Sequence, residues 1–145
     1  MPKFNNAKDL ERHIRKAMDA LQAEVLITAQ AKLGSTAVSP YDTGRFRSSW
    51  FAAEGSASSA VPPEGADSPN TDATGLRVDS SKQYHLTNNL PYAEPIALGV
   101  SLPPGWGGQH RVVSKPRTWF TSFRNETIPR IQQTAAKVVK QQFDL

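Results

Sequence analysis

The chain has 145 residues, a formal net charge of +4 and no cysteine. That length fits one domain, the missing cysteine excludes disulfides and thiolate-bound metal, and no apolar run approaches the roughly eighteen residues of a membrane span. Apolar residues other than glycine make up 38% of the chain, low even after the nine glycines are added, so a thin core that leans on neighbouring subunits is expected. Met1 to Asn6 has no apolar signal region, which predicts synthesis into the cytosol.

In chain order, Leu10, Ile14, Met18, Leu21, Val25 and Ala29 repeat at steps of three and four and predict a helix over 7–33. Asn6 is its N-cap, Asp9 and Glu11 suit its first turn, Lys32 its last, and Gly34 stops it. Such a helix is about 40 Å long, comparable with the roughly 38 Å breadth expected of the whole domain, so it crosses the domain or projects from it. Leu26, Ile27 and Leu33 widen its apolar face, so the second half packs on two sides.

Asp42-Thr43-Gly44 reads as a tight reversal. Phe46 and Trp50 after it share a face whether residues 45–50 are helical or extended. Either they fill the core while Arg45 and Arg47 meet solvent, or Arg45 contacts a partner subunit. A strand is predicted over 48–54. Residues 55–74, rich in Ser, Ala, Pro and Gly, read as a long mobile loop outside the core. Residues 76–78 and 84–89 read as a hairpin about the turn Asp79-Ser80-Ser81-Lys82. Tyr92 to Leu98 is a short helix or an extended edge, and 99–115 is a second flexible loop whose Trp106 is tucked back or exposed as an anchor. Pro116 opens the last helix, with apolar positions Phe120, Phe123, Ile128, Ile131, Ala135, Val138 and Phe143. Pro129 should kink or divide it near Thr127.

Enzyme chemistry has no visible seat. His13, His85 and His110 are dispersed, with no metal-binding spacing, and there is no phosphate-binding glycine loop or nucleophile elbow. A hydrolase stands open only in so far as catalytic triads assemble in space. Charge is uneven. Glu54, Glu64, Asp67, Asp72 and Asp79 stand against Arg77 in one segment, and Arg111, Lys115, Arg117, Arg124 and Arg130 against Glu126 in another. This split steers nucleic acid to the basic end, joins one subunit to the next, or is an ordinary solvated surface. A small basic protein that binds nucleic acid non-specifically is the alternative function.

Three stretches in order, Asp42-Thr43-Gly44-Arg45-Phe46-Arg47-Ser48-Ser49, Asn88-Asn89-Leu90-Pro91-Tyr92-Ala93-Glu94-Pro95-Ile96-Ala97-Leu98-Gly99 and Lys115-Pro116-Arg117-Thr118-Trp119-Phe120, resemble the tailed-phage tail-completion or neck proteins, also called minor tail or head-to-tail connector proteins. The resemblance covers nearly the whole chain. Phe46 stands where that family usually has Leu, and Pro95 and Leu98 depart from its pattern, as does the longer proline-rich loop from Gly55. It implies an α+β domain over 1–145, with long N-terminal and C-terminal helices packed on a small antiparallel sheet and two long loops. It also implies a structural virion protein without catalysis or cofactor, one subunit of a hexameric or dodecameric ring in the neck, assembled in the host cytoplasm. Its neighbours would be portal, adaptor or stopper proteins on one side and tail terminator or tube proteins on the other. Genomic double-stranded DNA would pass through without specific binding, and no membrane is involved. The expected interface residues are Asp42, Arg45, Phe46 and Arg47 at the corner, Trp106 at the loop tip, and Arg111, Lys115 and Arg117. The acidic segment is expected nearer the lumen.

Overall fold

The structure, a computed structural model, describes residues 3–39, 45–63, 65–66, 68–98, 100 and 115–144. Its first element, α1 (Ala7–Leu33), starts as the sequence predicts. Asn6 is extended, and its side chain accepts from the Asp9 N–H at 2.9 Å, satisfying one of the donors that a helix start leaves unpaired. The Asp9 carboxylate reaches back to the Asn5 N–H and forward to Arg12. At the other end Ser39, fully buried, donates its hydroxyl to the Leu33 carbonyl and so satisfies one of the acceptors of the final turn.

Gly34 ends α1 without the left-handed conformation glycine often supplies, at φ −78°. The need for glycine is steric. A Cβ there would sit 2.8 Å from the Cβ of Pro69, so the 55–74 segment passes directly over the helix end.

After a turn over residues 45–48, whose Arg45 carbonyl accepts from the hydroxyls of both Ser48 and Ser49, the chain becomes β1 (Trp50–Glu54). Its partner is β2 (Tyr84–Asn88), antiparallel, with Trp50 opposite Asn88, Ala52 opposite Leu86 and Glu54 opposite Tyr84. This corrects the expected hairpin of 76–78 with 84–89. The 79–82 turn is closed by side chains, with the Asp79 carboxylate accepting from the Ser81 N–H at 2.9 Å and the Tyr84 hydroxyl from the Asp79 N–H at 2.7 Å. That geometry does not launch a two-residue hairpin ladder. Leu76 and Val78 turn instead into a cluster with Leu26, Ala52 and Ala73.

Among its described residues the loop at 55–74 has no helix or strand before a 3₁₀ turn at Asp72–Gly75, yet its placement outside the core is also corrected. Ala73 is fully buried and Pro62 is buried. The Asn89 side-chain amide donates to the carbonyls of Ser58 and Ala60, and the Ser48 hydroxyl donates to that of Ala66. Polar clasps place a segment too poor in apolar surface to place itself.

Beyond β2, α2 (Ala93–Leu98) settles the open reading of that stretch as a helix. Pro95 lies in its first turn, where a missing N–H has no partner to lose. The second predicted loop, apart from Val100 and Lys115, lies outside the described residues. The last helical stretch is divided where Pro129 predicts: α3 (Trp119–Ser122), a π turn at Phe123–Thr127, then α4 (Ile128–Gln142). Proline at the second position of α4 has no N–H for the α-helical ladder, and the wider turn before it carries the chain through. The buried stripe of α4 is Ile131, Ala135 and Val139, at steps of four. Val138, expected inside, is 44% exposed.

The fold is α+β, with α1 and the C-terminal helix packed on the two-stranded sheet. α1 and α4 run antiparallel, His13 near the start of one donating from Nε2 to the carbonyl of Phe143 just past the end of the other, at 3.0 Å. The main core joins Ala29 and Leu33 of α1 to Phe46, Trp50, Trp119 and Ile131. Phe46 meets Trp50 and Trp119 edge to face, both at 5.8 Å between centroids, the favoured aromatic geometry. The indole N–H of Trp119 donates to the Ile96 carbonyl at 2.9 Å, which fixes α2 over α3.

Gln30, 2% exposed, ties these pieces together. Its Nε2 donates to the Trp50 carbonyl at 3.1 Å and to the Asp72 carboxylate, and its Oε1 accepts from the Ala73 N–H at 3.0 Å. Asp72 in turn accepts from the Ala52 N–H on the free side of β1 at 3.1 Å. Gln30→Ala leaves a buried carbonyl and a buried N–H unpaired. It is expected to lower unfolding free energy by about 3 kcal/mol, read as a drop in urea midpoint at constant slope. Gly34→Ala is expected to lose about 1–3 kcal/mol against Pro69. Gly75→Ala, where an added Cβ meets nothing within 4 Å, should stay within about 0.5 kcal/mol of the parent in the same measurement.

Candidate subunit interface

The apolar stripe of α1 has two fates. Its second half, through Val25 and Ala29, packs against the main core between α1, α4 and the sheet. In the first half Leu10, Ile14 and Met18 are 40, 44 and 53% exposed. They continue the same helical stripe into a place where no other described residue covers them.

This open stretch is a groove with walls. Ile14 and Met18 with Glu11, Arg15 and the turn at 79–81 enclose about 280 Å³. Met18, Leu21 and Val25 with Gln22, Ser80 and Gln132 of α4 enclose about 420 Å³. The two spaces share Met18 and Ser80, so they form one channel along α1. The turn that makes one wall is anchored to α1 itself: the Ser80 N–H donates to Asp19 at 2.8 Å and the Gln22 amide to the Lys82 carbonyl at 3.1 Å. It is also anchored to the sheet, by Lys82 on Glu54 at 2.9 Å.

The charge around this groove is well defined. The Ser81 hydroxyl and N–H hold the Asp79 carboxyl below its ordinary 3.8, and its bond to Glu54 holds the Lys82 ammonium above its ordinary 10.5. Glu11 and Arg15 form an exposed pair at 3.2 Å. On the other side of α1, Glu24, Thr28 and Lys32 face Thr127, Arg130 and Thr134 across a second groove of about 380 Å³ with mixed charge.

Of the residues expected at an interface, Phe46 lies in the core and its aromatic contacts are internal. Arg47 is half-buried and donates to the Gly34 carbonyl at 3.2 Å. Lys115 donates to the Ala37 carbonyl at 2.9 Å. These two cations therefore brace the segment that follows α1. Arg45 is half-buried in the turn, and Arg117 is exposed. Asp42, Trp106 and Arg111 lie outside the described residues. The face the structure does present, Leu10, Ile14 and Met18, was legible only as an apolar stripe, and periodicity does not say whether a stripe has a cover. His13 and His85 each hold a backbone carbonyl, of Phe143 and Gly55, and among the described residues no three His, Cys, Asp or Glu side chains gather for a metal. No helix among them is long and apolar enough to cross a membrane.

Comparison of the chain with protein-family models, with curated proteins and with solved structures gives no match.

Because the folded state holds Asp79 below its ordinary value, its contribution to stability is complete above pH 3.8 and is lost as pH falls through the folded midpoint. Carboxyl-carbon NMR is expected to place that midpoint below 3.8, and Asp79→Asn to flatten the acid limb of the stability curve.

Proposed function

We propose that the chain is a structural subunit of a closed ring in the neck of a tailed phage, joining the portal side to the tail. The observation that carries this reading is the half-covered first helix. A 27-residue α1 is seated in the core over its C-terminal half, while over the other half Leu10, Ile14 and Met18 stand exposed, as expected of a subunit whose cover belongs to a neighbour. The three motif stretches in order support the same reading. A hexamer or dodecamer, with portal, adaptor or stopper proteins and tail terminator or tube proteins as its neighbours, is the assembly this implies.

In this reading the ring passes DNA without gripping it, since phosphate contacts repeated around a ring would add up. The acidic 54–79 segment lies on the lumen side. Glu54 and Asp72 in that segment are exposed, Glu54 bound to Lys82 and Asp72 accepting from the Ala52 N–H.

Negative-stain microscopy of the purified chain is expected to show rings with an open centre, and labelled antibody should decorate the virion neck. Duplex DNA should not retain the ring at physiological salt. A monomer that binds duplex DNA with a steep salt dependence, and is absent from virions, would replace this reading with that of a small nucleic-acid-binding protein.

A further inference from the structure

We infer that the α1 groove receives α4 of a second copy of this chain, head to tail, with Val138 seated against Met18 and Ile14. This rests on the ring reading and specifies its contact.

The choice of occupant follows from charge. The groove lip carries Glu11, Asp19 and Asp79 with Arg15, and Lys82 beside Asp79 is bound to a fourth acid, Glu54, so acids outnumber bases by four to two. Two such grooves placed face to face would bring acids together, which disfavours a two-fold contact between them, and the same acids repel a nucleic acid. α4 has the opposite character. From Ile128 to Gln142 it carries Arg130, Lys137 and Lys140 and no acid. All three bases are exposed, and Val138 is exposed beside them although the rest of the apolar stripe on α4 is buried. Each copy therefore offers one acidic apolar groove and one basic helix with an apolar contact. They lie on different faces of the molecule, since the groove is bordered by Gln132 while Val138 lies on the side of α4 that bears Thr134. Two different complementary faces give a heterologous contact, which closes into a ring or runs on as a filament.

The chain has no cysteine, so engineered pairs report cleanly. Met18→Cys and Val138→Cys copies, differently tagged and co-expressed, are expected to form an 18–138 disulfide dimer under mild oxidation, with neither variant dimerising by itself. In a second arm, Lys137→Glu/Val138→Asp disables the helix face and Ile14→Lys/Met18→Lys disables the groove. All of these positions are exposed, and circular dichroism confirms the fold. Each variant by itself should lose the ring, and the two mixed should give a 1:1 dimer that grows no further, read by native mass spectrometry. Rings retained by either double variant would overturn the contact and leave the ring reading standing. Disulfide dimers of Met18→Cys by itself would replace it with a two-fold pairing. A parent chain that stays monomeric at every concentration would remove the ring reading and this contact together.

Discussion

One buried amide holds the described fold in register. Gln30 lies on the helical face that meets the sheet, and its donor and acceptor ends are both used, by β1 and by the 3₁₀ turn. An amide so buried is stabilising only while every partner is in place, because a desolvated polar group left unpaired loses more than a formed bond gains. The node therefore works as a gauge. It fixes the rotation of α1 about its axis, the distance to β1 and the path of the 72–75 turn. Asp72, held by the same amide, covers the free side of β1 at Ala52.

The fixed rotation of α1 explains the contrast between its halves. With Leu26, Gln30 and Leu33 turned to the sheet and Ala17 buried, the stripe of Ile14, Met18, Leu21 and Val25 must face the valley between sheet and α4. That valley is filled by aromatic side chains at one end only. Phe46, Trp50, Trp119, Phe120 and Phe123 form a connected aromatic group beside Leu33, whereas the other end has the small polar turn at 79–81. The side chains that would close the valley are not in the described chain, and the proposed neighbour fills the place they leave.

α1, its caps and the break at Pro129 can be read from sequence because each depends on residues a few positions apart. Asn6 caps within three residues, and proline acts on its own turn. Strand pairing and burial were less legible because they depend on distant residues. The 84–88 strand was visible, but its partner lies some thirty residues upstream, and the nearer 76–78 lost the competition because Leu76 and Val78 had a pocket to fill. Gln30 showed nothing in the sequence beyond an ordinary helix former. Phe46 suits core and contact alike by residue type, and its two aromatic neighbours decide for the core. The α1 stripe is legible as apolar, but its exposure depends on what lies opposite, which one sequence does not state.

The antiparallel pairing of α1 with α4 also bears on how the protein is made. The ribosome makes α1 before its partner, and the stripe that packs against it, Ile131, Ala135 and Val139, follows roughly a hundred residues after α1 ends. Through that interval the nascent chain carries a long amphipathic rod without its mate, and helix formation is far faster than elongation. Such a rod invites premature association between chains on neighbouring ribosomes. Glu11, Arg15 and Gln22 flank that stripe with polar side chains.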